Sequence, residues 1–277
     1  MHDKQPPSAS FVSSQLARLR LLRQQRFLRD KAQTFAVEGI RQFVQASDAG
    51  FAFDTLYLCD ALLRHGLAGK LARRMCRDSG VRRVGLTPEQ FRSIRTLERA
   101  SGVAAILRQR WTALDDARPG RVGWLIVDHI RSAGNLGTIL RTAEACGVSG
   151  VMFVGDACDP YDPAVVRASM GGVFHLRLVR TRPRELGFWL ARHEVQTVGL
   201  SPCAGKPWHE LPSGKSYAIA VGEERAGLSS PLRRLCDTKV RLPMSGHADS
   251  LNVAIAAGVM MYELVRARGE LAADVRG

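Results

Sequence analysis

The chain has 277 residues, 45% of them hydrophobic, enough for two modest domains each with its own core. Its formal net charge of +14 favours a polyanionic partner, without separating RNA from DNA or an acidic membrane surface. No run approaches the roughly 18 apolar residues that span a bilayer, and Met1–Ser8 has no apolar secretory stretch, so no membrane partner is expected and the expected location is the cytoplasm.

The six cysteines form no CxxC pair and the seven histidines show no ligand spacing, so neither a metal site nor a disulfide framework is expected. Residues 1–118 hold 21 Lys+Arg against 11 Asp+Glu, the remainder 19 against 15. The first half is therefore the expected electrostatic grip. Arginine outnumbers lysine, which suits bidentate phosphate contacts, although a GC-rich genome produces the same bias.

In chain order, a basic helix is expected over 13–31, with Leu16, Leu19, Leu22, Phe27 and Leu28 along a stripe and Arg18, Arg20, Arg23, Arg26 and Arg29 around it as a solvated face. An extended run from Thr34 closes on Glu38-Gly39, followed by a helix to about Ala46 and a strand over 55–59. A helix near 67–76 and a strand at 81–84 follow. The next helix opens at Thr87-Pro88-Glu89, with Thr87 as N-cap and proline in the first turn, and the strand 102–107 comes last. This alternation describes a small α/β sandwich. Polar and turn-forming residues over 112–120 mark a linker. Beyond it, strands are expected at 122–127, 151–154, 176–179, 195–200, 217–221 and 239–242. Their near-continuous apolar runs suit a parallel sheet buried on both faces. Helices are expected at 136–146, 163–170, 184–193, 231–236 and 251–268.

Three turns after strands carry the chemistry. In Asp128–Thr142 a Gly-bearing turn opens a helix, but Gly134-Asn-Leu-Gly137 lacks the spacing of a dinucleotide loop. Asn135 and Arg141 can border one pocket, an amide for a hydroxyl and a guanidinium for a phosphate; read singly, they are an N-cap and a surface cation. Val221–Leu228 ends a strand on Gly222, where a ligand can press against backbone, with Glu223 and Glu224 at the turn. In Leu242–Val253, Asp249, Ser250 and Asn252 gather polar groups before a helix rich in small residues, suited to capping or to substrate contact.

Taken together these segments resemble the SpoU (TrmH-like) family of the SPOUT superfamily, RNA 2′-O-ribose methyltransferases that use S-adenosylmethionine. Asn135, Gly137, Arg141 and Thr142 match its first motif, Gly222, Glu224, Gly227 and Leu228 its second, and Leu242, Pro243, Met244, Ser250, Leu251, Asn252 and Val253 its third. Tyr161–Gly171 is similar to the intermediate segment, with Ala164 where many members have lysine. Residues 31–109 are similar to the family's substrate-binding domain and to a ribosomal RNA-binding protein fold. The implied architecture is a basic N-terminal extension over 1–30, an RNA-binding α/β domain over 31–111, a linker over 112–120, and a parallel-sheet α/β methyltransferase domain with a deep trefoil knot over 121–277.

The resemblance also implies a site. S-adenosylmethionine would lie against Leu200, Gly222, Leu242 and Leu251, with Met244 nearby. Arg141 would face the 2′-hydroxyl and its phosphate, Asn135, Ser250 and Asn252 would orient the ribose, and Glu224 would fix the loops. A guanidinium seldom loses its proton, so electrostatic lowering of the hydroxyl pKa is preferred to an arginine base. The 2′-hydroxyl excludes DNA. Large-subunit rRNA is favoured over tRNA, and a homodimer through the C-terminal domain is implied. A ribosomal antibiotic-resistance methyltransferase and a non-catalytic RNA-binding assembly factor stay open; a nicotinamide oxidoreductase has only the α/β alternation in its favour.

Overall fold

The computed structural model describes residues 8–63, 66–78, 80–120, 122–207, 216–247 and 249–267. Both ends of the expected architecture, residue 121 and the expected helix end at Arg268 lie outside them. The chain divides into two compact units, Met1–Arg110 with Tyr161–Arg167, and Trp111–Pro160 with Ala168–Gly277.

The first unit contains α1 (Ala9–Gln24), α2 (Arg26–Ala32), β1 (Thr34–Glu38), α3 (Ile40–Asp48), β2 (Phe53–Leu58), α4 (Gly66–Asp78), β3 (Arg82–Gly85), α5 (Pro88–Arg92) and β4 (Val103–Arg108). Its sheet runs β1-β4-β2-β3, with β4 antiparallel to β1 and β2, and β3 parallel to β2. Thr87 and Gln90 form a reciprocal capping box at α5.

The basic N-terminal helix belongs to this core rather than standing apart as an extension. Val12, Leu16, Leu19 and Leu22 pack with Tyr57, Val84, Phe91 and Ile106. The expected single stripe breaks at Gln25, whose extended backbone (φ −117°, ψ 108°) resets the helical phase. Phe27 is consequently 71% exposed, whereas Arg29 is buried and donates through Nη1 to the carbonyls of Leu22 and Arg23 at 2.8 and 3.2 Å. A cation there satisfies the open carbonyls at the end of α1 and complements its dipole.

Tyr161–Arg167, expected within the methyltransferase domain, groups with this first unit. The Tyr161 ring packs 4.4 Å from that of Phe35, and its hydroxyl accepts from the Arg110 amide at 2.9 Å and donates to the Arg110 carbonyl at 2.7 Å.

The second unit opens with a 3-10 turn, Leu114–Asp116, inside the segment expected to be a linker. That segment is held down. Trp124 and Trp189 donate their indole N–H groups to the carbonyls of Arg118 and Ala117, and Ala117 is fully buried. A buried indole N–H requires an acceptor, which composition alone does not reveal.

After it come β5 (Trp124–Asp128), α6 (Ala133–Ala145) and β6 (Gly150–Val154), then α7 (Pro163–Ala168), which but for Ala168 belongs to the first unit, and α8 (Gly172–His175), β7 (Leu178–Thr181), α9 (Pro183–Arg192) and β8 (Gln196–Leu200). The chain continues with β9 (Lys206–Pro207), β10 (Tyr217–Val221), α10 (Ser230–Leu235), β11 (Thr238–Arg241) and α11 (Val253–Ala267). The short β9 went unexpected because two residues carry no periodicity.

Every pairing in the sheet β7-β6-β5-β10-β8-β11-β9 is parallel, and β5, β6 and β10 are buried along their whole length. The late strand β10 enters between β5 and β8, an order consistent with the knot that the resemblance implies. Among the described residues no helix is long and apolar enough to cross a membrane, and no group of His, Cys, Asp and Glu could hold a metal ion.

Candidate active site and cofactor cavity

The carboxyl ends of β8, β10 and β11 open onto a cavity of about 690 Å³, inside the roughly 300–1,000 Å³ of small-molecule sites. Ligands of open parallel sheets characteristically bind at these strand ends. All five expected cofactor contacts, Leu200, Gly222, Leu242, Met244 and Leu251, line it, as do Glu224 and Ser250.

Gly222 has no room for a side chain. A Cβ there would fall 2.2 Å from the Gly227 carbonyl oxygen, so the two backbone segments touch directly. Glu223 and Gly227 exchange backbone hydrogen bonds of 3.0 and 2.8 Å, and Gly227 at φ +66° closes the loop in a conformation suited to glycine. The loop is tied further by Arg131 Nε, 3.4 Å from Glu223 Oε1.

The three motifs meet through one directional hydrogen-bond chain. Asn252 Oδ1 accepts from the amides of Ala254 and Ile255 at 2.9 and 3.4 Å, capping α11. That fixes its Nδ2 as donor, which reaches Asn135 Oδ1 at 3.0 Å. Asn135 Nδ2 then donates to Glu224 Oε1 at 2.7 Å. Each amide has one workable orientation, and the chain ends on an acceptor-only carboxylate.

Asn135 is not the N-cap of α6; Ser132 is, its hydroxyl accepting the Asn135 amide at 3.3 Å. The Asn135 side chain is thereby left to bridge the other two motifs. Neither Asn135 nor Asn252 lines the cavity. Arg141 is exposed on α6, its Cα beside Gly172, and it joins neither the hydrogen-bond chain nor the cavity lining.

Sequence reasoning assigned no role to Asp128, which closes β5 fully buried. Its Oδ2 accepts from the Ser229 amide at 2.7 Å, and its Oδ1 lies in a short contact with His129 Nδ1. Asp128 thus anchors the end of the Glu223–Gly227 loop. The available signal was a charged residue ending an otherwise apolar run.

Cys236 lies behind the cavity against Gly199, where burial foremost pushes its thiol up to about 11. It stays neutral and inert at physiological pH.

The lining suits S-adenosylmethionine chemically. Leu200, Leu242, Met244 and Leu251 offer an apolar slot for a base, Glu223, Glu224 and Asp249 oppose cationic groups, and Arg225 and Arg233 oppose a carboxylate.

Comparison with known proteins agrees with this geometry. Residues 124–262 match the SpoU rRNA Methylase family, and residues 14–105 match an MRM3-like substrate binding domain. A 23S rRNA (uridine(2479)-2′-O)-methyltransferase of Streptomyces viridochromogenes is 33% identical over 274 residues, covering 95% of this chain and 94% of the relative. The 23S rRNA (guanosine(2553)-2′-O)-methyltransferase RlmP of Bacillus subtilis is 30% identical over 187 residues, 68% of this chain and 74% of the relative. An AdoMet-bound rRNA methyltransferase from Sinorhizobium meliloti superposes with a TM-score of 0.84 at 30% identity, covering 95% of this chain and 97% of that one. With its motifs, fold and sequence all in agreement, the chain belongs to the SpoU rRNA methylase family.

Proposed function

We propose that this protein transfers a methyl group from S-adenosylmethionine to a ribose 2′-hydroxyl of ribosomal RNA, with large-subunit rRNA as the substrate. The observation that carries the reading is the Glu224–Asn135–Asn252 chain, which binds all three motifs together beside the strand-end cavity. Both relatives described above are named as 23S rRNA 2′-O-methyltransferases, which favours the large subunit.

The residues divide the task. When bound, the cofactor supplies an electrophilic methyl on a sulfonium. Leu200, Gly222, Leu242, Met244 and Leu251 hold it against backbone and apolar surface. Glu224 and Asn252 fix the Asn135 amide, and Asn135, Ser250 and Asn252 orient the ribose. Arg141, exposed and fixed on α6, holds the neighbouring phosphate and lowers the hydroxyl pKa as a cation without giving up its proton. Positioning of this kind supplies much of the rate of a bimolecular transfer. The 2′-hydroxyl requirement excludes DNA.

A homodimer through the second unit completes the reading. Ile255, Val259 and Tyr262 lie at i, i+4 and i+7 on α11, exposed by 54%, 38% and 47%. Such an apolar stripe suits an isologous interface.

The test is transfer of labelled methyl to unmodified rRNA and tRNA transcripts, with mapping of 2′-O-methyl positions. Label is expected in rRNA and lost by at least 100-fold in Asn135→Ala and Arg141→Ala, the scale of a misplaced reactive group. Near-full rate in Arg141→Lys would remove the guanidinium from the mechanism, and label confined to tRNA would overturn the substrate.

A further inference from the structure

We propose that the exposed face of α4, together with Arg83 of the edge strand β3, is the phosphate-gripping surface by which the first unit holds RNA. The inference rests on the reading of RNA as the substrate and deepens it by naming the surface. Residues 66–85 carry six cations against one acid, more than a third of the chain's net charge of +14. On α4, Lys70, Arg73, Arg74 and Arg77 stand at i, i+3, i+4 and i+7, a single stripe whose members are all exposed. The opposite side is buried, with Ala68 and Ala72 at 2% and 0% exposure. Seven residues at about 1.5 Å each spread the charges over roughly 10 Å.

Arg83 extends the stripe. It faces away from buried Val84, and its charge is felt at the Cys76 thiol in the last turn of α4, which burial pushes up and Arg83 pulls down. Its partner Asp60, 2.7 Å away, is itself 60% exposed, so the pair is a surface contact that a phosphate can displace.

The arginines of α1 and α2, at first sight the natural grip, are engaged by the protein. Arg18 pairs with Asp54, Arg20 donates to Ser93, Arg23 pairs with Glu38, Arg26 pairs with Asp30, and Arg29 is buried against carbonyls. On α4 the like charges at Lys70/Arg74 and Arg73/Arg77 repel at i,i+4 spacing, and a bound polyanion relieves that repulsion. A membrane is the poorer partner, because the apolar side of α4 is already buried and leaves nothing to insert among acyl chains. Contacts to phosphate are independent of sequence and steeply dependent on salt.

The experiment measures affinity of the full chain for an rRNA transcript from 50 to 200 mM salt. It compares wild type with a variant carrying Lys70→Gln, Arg73→Gln, Arg74→Gln and Arg77→Gln, and with a control carrying Arg177→Gln, Arg184→Gln, Arg192→Gln and Arg234→Gln. Thermal unfolding verifies that each is folded. The stripe variant should lose about 3 from the slope of log K against log salt, at about 0.7–0.9 per phosphate contact. Its affinity should fall about 100-fold or more at 100 mM salt, with the control keeping its slope within about 1. An unchanged slope in the stripe variant, an equal loss in the control, or stripe-dependent binding to phosphatidylserine vesicles but not to RNA would overturn the proposal. Stripe-dependent RNA binding without methyl transfer would uphold the surface and sink the catalytic reading instead.

Discussion

At the scale of single residues, Asn135 is the joint of the site. Its amide touches both other motifs, accepting from Asn252 and donating to Glu224. Because the Asn252 oxygen is committed to the α11 amides, the polarity of the whole chain is set from the helix end toward the carboxylate. Asn135→Asp keeps the shape but sets a second carboxylate against Glu224. We expect kcat/KM for methyl transfer to fall at least 100-fold, with the S-adenosylmethionine Kd within about threefold because Asn135 does not line the cavity. Near-wild-type turnover of the aspartate variant would show that the chain has no positioning role.

At the scale of elements, α1 is attached to its sheet by packing and by a charge contact that responds to acid. Burial pushes the Asp54 carboxyl up, but hydrogen bonds from Arg18 and Thr55 with the charges of Arg18 and Arg108 outweigh it and hold the group below its ordinary value. A carboxyl lowered by folding contributes stability that is complete above its unfolded pKa of about 3.9 and fades as pH falls through the folded one. Asp54→Asn should therefore lower Tm at pH 7, and the gap from wild type should close below about pH 4. A gap that stays constant or widens on acidification would show that Arg18–Asp54 does not stabilise the folded unit. The other arginines of α1 and α2 carry a lesson of the same kind. Their charge is visible in composition, but which carboxylate or carbonyl Arg26 and Arg29 meet depends on the phase change at Gln25.

At the scale of the whole molecule, the chain forms two compact units, with residues 14–105 matching a substrate binding domain and residues 124–262 the SpoU rRNA methylase family. The second unit presents Ile255, Val259 and Tyr262 on the exposed side of α11, while Ala254, Ala257 and Met260 of the same helix are buried. The small residues Ala257 and Gly258 bring α11 near α6, where a Cβ on Gly258 would stand 3.5 Å from Thr142 Cγ2. Sedimentation of the wild type at micromolar concentration should give a dimer, and Ile255→Arg with Tyr262→Arg should give monomer with an intact thermal transition. A wild type that stays monomeric would remove the interface.

The alternation of apolar runs and turns determined the α/β class, the parallel order of the second sheet and the positions of most elements, because burial on both faces leaves its mark on every residue of a strand. The three motifs were legible because a backbone that must approach a ligand, or close a tight loop, restricts residue type locally, as at Gly222 and Gly227. Only the tertiary structure decided that Asn135 bridges Glu224 and Asn252, that Asp128 anchors the cavity loop, that residues 112–120 are pinned beneath two tryptophans, and that Tyr161–Arg167 leaves its neighbours for the first unit. Most of these contacts join residues far apart in the chain, where no local periodicity records the partner.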